Sequence, residues 1–314
     1  VHHSIWAWIG FNLFVLAMLA VDLGLFNREA HKISVKEATT WTIVWVTLAL
    51  TFNAGVYYFI SRQAALEFLT GYLIEKALSV DNIFVFVIIF TYFHVPDKYQ
   101  HRVLLWGILG ALVMRGIMIG AGALLIQRFE WVIYIFGAFL VFTGIKMALQ
   151  SEHSVSPDKN PILKLIRKFF PVSTVYHGQR FIASEPVGDG TKTRKVITPL
   201  LVVLIVIETT DLIFAVDSIP AIFAVTKDPF IVYTSNIFAI LGLRALYFLL
   251  AGIIDKFIYL KYGLAMVLAF VGVKMLLSGW IHIGIGVSLG VVALVLAVSI
   301  IASLLHKPVT EKLE

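Results

Sequence analysis

Long apolar runs fill most of the chain, separated by short polar clusters. Runs long enough to cross a bilayer occupy residues 4–26, 39–60, 65–93, 102–127, 131–149, 197–225, 230–254, 261–278 and 281–305. About 20 apolar residues of helix span the hydrocarbon layer, and within lipid a helix satisfies its own backbone donors and acceptors. The pattern therefore predicts an all-α polytopic membrane protein with nine transmembrane helices. The N-terminal V-H-H-S-I-W lacks the basic n-region of a cleavable signal peptide, so the first run is expected to be a retained helix.

Sliding the two halves of the chain against each other reveals an internal repeat. Asp81-Asn-Ile-Phe-Val matches Asp211-Leu-Ile-Phe-Ala. Ile-Leu-Gly110 with Arg115 matches Ile-Leu-Gly242 with Arg244, and Gly144-Ile-Lys146-Met147 matches Gly272-Val-Lys274-Met275. Each copy contains three spans, and an odd number makes the second copy enter from the opposite face. The expected core is thus an inverted 3+3 repeat, an arrangement of secondary transporters, whose sites lie near the midplane at broken helices. The expected division is 1–63 for the first two spans, 64–149 for repeat one, 150–196 for a loop, 197–279 for repeat two, and 280–314 for the last span and tail.

Composition agrees with the membrane assignment, since 60% of residues are hydrophobic and only 14% charged. The formal charge of +6 is a matter of topology rather than of nucleic-acid binding, because the basic residues segregate between alternate loops. The odd-numbered loops and the C-terminal tail hold 17 Lys and Arg; the even-numbered loops hold only Arg62, Arg128 and Lys227. By the positive-inside rule the N-terminus is expected outside, with the C-terminus and the 150–196 loop in the cytoplasm of a cell whose plasma membrane holds the protein. A V-G-D-G-T-K-T-R run in that loop lacks the P-loop pattern, and no strand is expected before it.

The unusual feature is charge within the spans. Glu208, Asp211 and Asp217 share one apolar stretch with Pro220, and Glu75, Lys76, Asp81 and Asn82 lie on its counterpart. An acidic residue at bilayer depth costs about 2.5–3.5 kcal/mol on insertion scales, so these carboxylates are expected to serve a site. Glu75, Ser79 and Asn82 share a face at i, i+4 and i+7, whereas Asp81 and Asp217 join their neighbours only if the helices bend. Pro220 supplies a reason in the second copy, and both first helices of the repeats are expected to be broken. Five basic residues, Lys76, Arg115, Lys146, Arg244 and Lys274, face five acids. Lys146 and Lys274 lie near span ends and are expected to snorkel, which leaves a deficit of about two charges, suited to a divalent cation.

The candidate metal ligands are Glu75, Asp81, Asn82, Glu208, Asp211 and Asp217. Supporting positions are the hydroxyls of Ser79, Thr209, Thr210 and Ser218 and the cations Lys76, Arg115 and Arg244. This is a hard oxygen shell, which suits manganese, calcium and magnesium over zinc or copper. The chain has no cysteine, and its nine histidines fall in loops, tails or span ends, where they are expected to be solvated.

The stretches E-K-A-L-S-V-D-N-I-F-V-F at 75–86, E-T-T-D-L-I-F-A-V-D-S-I-P-A-I-F at 208–223 and S-N-I-F-A-I-L-G-L-R-A-L-Y-F at 235–248 resemble signatures of the TerC family of integral membrane proteins, and within it the Alx-like members. The resemblance covers about residues 40–280. It implies roles in manganese export, tellurium resistance and alkaline response, and it carries the five acidic positions over as functional.

The combined expectation is a bacterial inner-membrane transporter that exports a divalent cation, foremost Mn2+, with protons as a counter-ion. Mn2+ is then substrate, no prosthetic group is implied, and the partners are the lipid bilayer, the metal ion and protons. The alternative is a non-transporting membrane scaffold in metal, alkaline or tellurite stress, with the large loop as its docking surface. An enzyme is not expected: the Y-D and G-x-G-D signatures of aspartyl intramembrane proteases and the H-E-x-x-H motif are missing from the sequence.

Overall fold

Every predicted span contains helix. The computed structural model describes residues 4–24, 34–129, 131–149, 168–187, 192–251, 257–281 and 283–305. In chain order the helices are α1 (Ile5–Gly24), α2 (Val35–Phe59), α3 (Arg62–Tyr92), α4 (Asp97–Arg128) and α5 (Val132–Leu149). After strands β1 (Ile182–Val187) and β2 (Lys192–Ile197) come α6 (Pro199–Phe223), α7 (Pro229–Leu241), α8 (Leu243–Leu250), α9 (Leu260–Leu276) and α10 (Ile285–Leu305). Among the described residues, six spans are long and apolar enough to cross a membrane: α2, α4, α5, α6, α7 with α8, and α10. In α1 the apolar stretch is shorter, Ile5–Val21. Helix α3 has length, 31 residues, but is interrupted by charge, and α9 has only 17 residues.

Two expectations are corrected. Helix α3 runs unbroken through Asp81, and α6 runs unbroken through Asp217 with Pro220 inside it. Pro220 lies in the last turn of α6, where its missing N–H costs the one bond to the Val216 carbonyl with only three helical residues beyond it, and its own carbonyl accepts from the Ala224 amide at 3.0 Å. The interruption falls instead at Gly242, between α7 and α8 (φ −81°, ψ 0°). The second correction concerns the 150–196 segment, which contains an antiparallel hairpin pairing Ile182 with Ile197 through Val187 with Lys192. A strand does precede the glycine-containing run; residues 150–167 and 188–191 lie outside the described residues, as do Arg28, Lys32, Lys256, Lys307 and Lys312.

The described chain forms two compact units, residues 1–34, 84–115 and 154–214, and residues 35–83, 116–153 and 215–314. In the first, α1 buries only the stripe Phe11, Val15 and Leu19 and exposes Trp6, Leu13 and Leu16, as a helix with one protein-facing side does in lipid. Here the hairpin segment is tied to helix ends. The Tyr176 hydroxyl donates to the Phe93 carbonyl at 2.8 Å, Arg102 donates to Gln179 at 3.1 Å, and the Arg102 guanidinium lies 5.2 Å from the Phe181 ring.

The second unit is built around α7, in which every residue from Phe230 to Leu241 is buried. A helix buried on all sides belongs inside a bundle. In the same unit α5 and α9 cross with backbones in close approach. A Cβ on Gly144 would lie 2.8 Å from the Ala265 carbonyl and 3.0 Å from the Ala269 amide; one on Gly272 would lie 2.7 Å from the Gly137 carbonyl and 2.8 Å from the Val141 amide. The contacts are reciprocal. Gly144 and Gly272, Gly137 and Ala265, and Val141 and Ala269 are each 128 residues apart, so each copy's residue meets the counterpart of its partner, as in a two-fold contact. Small residues permit this approach in membranes.

Candidate functional site

In the first unit the site begins with α6, whose Glu208 and Asp211 are three residues apart and so share a helix face. Arg115, fully buried on α4, grips Asp211 through a fork: Nη2 to Oδ1 at 3.0 Å and Nε to Oδ2 at 3.2 Å. The arginine comes from the first half of the chain and the aspartate from the second. Bidentate pairing of this kind is strong and directional, and it satisfies both oxygens of Asp211. Glu208 differs. Its Oε2 is buried with no hydrogen-bond partner among the described residues, and Asp211 adds a like charge nearby. The carboxylate rests over Gly110, where any Cβ would collide with it, and beside Gly107. Those glycines of α4 make the space that Glu208 occupies. Thr209 and Thr210 donate to the carbonyls of Ile205 and Val206, each at 2.7 Å. Their hydroxyl protons are thereby used on the helix itself, and their oxygens remain free to accept.

In the second unit Glu75 on α3 is buried, and its Oε2 accepts from the Asn236 amide of α7 at 3.0 Å. Ser79 back-bonds to the Glu75 carbonyl at 2.7 Å. Lys76 donates to the Ala239 carbonyl at 3.2 Å, and a Cβ on Gly242 would lie 2.7 Å from its ammonium. Lys76 thus stabilises the carbonyl end of α7 at the interruption, as a cation at a helix C-terminus does. The glycine of the Ile-Leu-Gly match therefore makes room, in each copy, for a charged side chain from the first helix of the other copy.

Asp217 accepts from the Thr143 hydroxyl at 3.2 Å and feels the charge of Lys146. Lys146 was expected to stand apart from the acids; instead it belongs with them, which lowers the uncompensated charge from about two to about one. Its residence in the last turn of α5 does not prevent a long side chain from reaching back along the helix. Asn82 and Arg244 are buried, as is Ser218, whose hydroxyl has no hydrogen-bond partner among the described residues. The side chain of Asp81 lies outside the described residues. Among the described residues no three histidines or carboxylates converge on one point.

Asn236 and Thr143 were missed from sequence. The signal for Asn236 was a Thr-Ser-Asn run inside an otherwise apolar span; Thr143 has no comparable mark. His101, expected at a solvated surface, is buried, while His2, His3, His31, His153, His282 and His306 lie outside the described residues. Outside the spans, His177 meets Glu185 at 2.8 Å and Ser173 at 3.3 Å. Both contacts use Nε2, so this is not a relay through the two ring nitrogens. Ser173 and His177 beside it hold the Glu185 carboxyl below the usual carboxylate range.

The sequence pattern of the integral membrane protein TerC family matches residues 60–311. A Myxococcus xanthus membrane protein, STKORF319, is 52% identical over 307 residues, covering 97% of this chain and 94% of that protein. An Escherichia coli K12 protein described as a proposed membrane-bound redox modulator, Alx, is 50% identical over 303 residues, covering 94% of this chain and 92% of that protein. A Rickettsia bellii membrane protein is 41% identical over 307 residues, covering 98% and 99%. No solved structure matches the chain. With a family match over most of its length and relatives of nearly equal extent, this multi-pass integral membrane protein belongs to the TerC family.

Proposed function

We propose that the protein exports a divalent cation, with Mn2+ as its substrate, across the bacterial inner membrane in exchange for protons. The nine helical spans would place the N-terminus outside and the C-terminus in the cytoplasm, with the two repeats inverted; the reciprocal α5–α9 crossing supports that symmetry. The observation that carries the reading is Glu208, a buried carboxylate oxygen with no hydrogen-bond partner among the described residues, beside an aspartate whose own charge Arg115 already satisfies. At bilayer depth such a group is stabilised by protonation or by a bound cation. Alternation between those two states is cation–proton exchange.

The donors around the repeats are oxygens, and the chain has no cysteine. Flexible oxygen shells accommodate Mn2+ more readily than Mg2+, which demands near-ideal octahedral geometry and holds its waters. Export of a 2+ ion against 100 mV requires about 4.6 kcal/mol, a load that inward proton movement can carry. Movement of a redox-active metal offers a route to the redox influence named for the Alx relatives. Mn2+ binding to the purified protein, followed by electron paramagnetic resonance, tests the assignment: Glu208→Gln should weaken it at least tenfold, and unchanged affinity would contradict it.

A further inference from the structure

Four helices of the second unit end around one cavity of about 340 Å3, a size within the usual range of small-molecule sites. Glu67 of α3, Ile133 at the start of α5, Phe223 at the end of α6 and Lys274 in the last turn of α9 line it, with Lys227 beyond α6 and Ile281 beyond α9. The walls therefore carry both signs of charge. Glu67 and Lys274 act on each other electrostatically, yet among the described residues no ion pair joins them, and Glu67 instead accepts from Gln63 at 2.9 Å. The ordinary use of lysines here is to complement the carbonyl ends of α6 and α9. That accounts for Lys227 and Lys274 but not for a carboxylate lining the same cavity.

The surroundings indicate depth in the bilayer. Trp131 and Trp280, 57% and 83% exposed, flank the same helix ends, and the Tyr134 hydroxyl lies against Gly279. Exposed Trp and Tyr mark the headgroup level of a membrane. A cavity at that level, lined by two ammoniums and a carboxylate, complements a ligand that itself carries both signs of charge.

The geometry points to a site for an ammonium–phosphate zwitterion, its phosphate against Lys274 and Lys227 and its primary ammonium against Glu67, supplied as a phosphatidylethanolamine headgroup or as free phosphoethanolamine. A primary ammonium can donate to Glu67, whereas a trimethylated one has no N–H to give, so the site should discriminate against phosphatidylcholine. A purely anionic headgroup would leave Glu67 facing like charge.

Native mass spectrometry of the full-length protein, released from nanodiscs containing phosphatidylethanolamine, phosphatidylcholine and phosphatidylglycerol, tests the site. The wild type should retain phosphatidylethanolamine at least fivefold over the other two. Lys274→Met and Glu67→Gln should each remove that preference, Glu67→Gln by admitting phosphatidylglycerol, while Lys274→Arg, which keeps the charge and controls for folding, should preserve it. Displacement of the bound lipid by millimolar free phosphoethanolamine would assign the site to the soluble zwitterion as well; retention against it would assign the site to the lipid. Equal retention of phosphatidylglycerol by the wild type, or an unchanged preference in both Lys274→Met and Glu67→Gln, would overturn the proposal.

Discussion

Arg115 and Asp211 are joined through both oxygens of the carboxylate, at 3.0 and 3.2 Å, with the guanidinium wholly removed from solvent. A buried pair of this kind is worth little against an apolar substitute, but losing one partner strands the other, at a cost of about 3–5 kcal/mol. Arg115→Met should therefore lower thermal stability and membrane abundance sharply, and Arg115→Lys should rescue only part, since an ammonium cannot reproduce the fork. The double variant Arg115→Met, Asp211→Asn should be more stable than Arg115→Met alone. Thermal unfolding of the detergent-solubilised protein reads all three; a double variant no better than the single would show that the pair is not the source of the loss.

The α5–α9 crossing makes an independent prediction. Gly272→Ala and Gly144→Ala would each drive a methyl into the opposite backbone, at 2.7 and 2.8 Å from a carbonyl oxygen, and overpacking of this kind typically costs about 1–3 kcal/mol. The two losses should be similar, because the contacts are counterparts. Gly290→Ala on α10, with nothing within 4 Å, should be neutral. A loss at Gly272 with none at Gly144 would count against the reciprocal packing.

The hairpin segment should respond to acid. Ser173 and His177 hold the Glu185 carboxyl below its usual range, so the native state binds the proton less readily than the unfolded chain does. Stability from this group is fully present above the ordinary carboxylate range near pH 4.3 and is lost as pH falls through the lowered native value. Hydrogen exchange of the β1 and β2 amides in nanodiscs should accelerate over that acidic window in the wild type and show a smaller change in Glu185→Gln. The same pH response in both would remove Glu185 as its cause.

Much of this architecture was legible in sequence, because apolar run length is a direct consequence of bilayer thickness. Each of the nine runs contains helix, and the repeated Gly-x-Lys-Met motifs proved to mark the α5–α9 crossing. Backbone continuity at Asp81 and Pro220 was not legible. The helix continues through Pro220 with the loss of one hydrogen bond, whereas Gly242, marked in sequence as a repeat landmark but not as a break, divides α7 from α8 with the Lys76 ammonium against it. Nor could sequence show that Asn236 reaches Glu75 or that Lys146 acts on Asp217, since both relationships join residues far apart in the chain. The charge balance drawn from span positions alone was too simple for that reason.

In the proposed function Glu208 receives a cation in alternation with a proton, and ion flux tests that exchange directly. Reconstituted in proteoliposomes with an imposed pH gradient, the wild type should move Mn2+ and move protons in the opposite direction. Glu208→Gln, which keeps the shape and removes the charge, should lose at least tenfold of both fluxes at near-normal protein abundance. Mn2+ flux unaltered by Glu208→Gln, or a wild type that moves no Mn2+ at any gradient, would contradict the account.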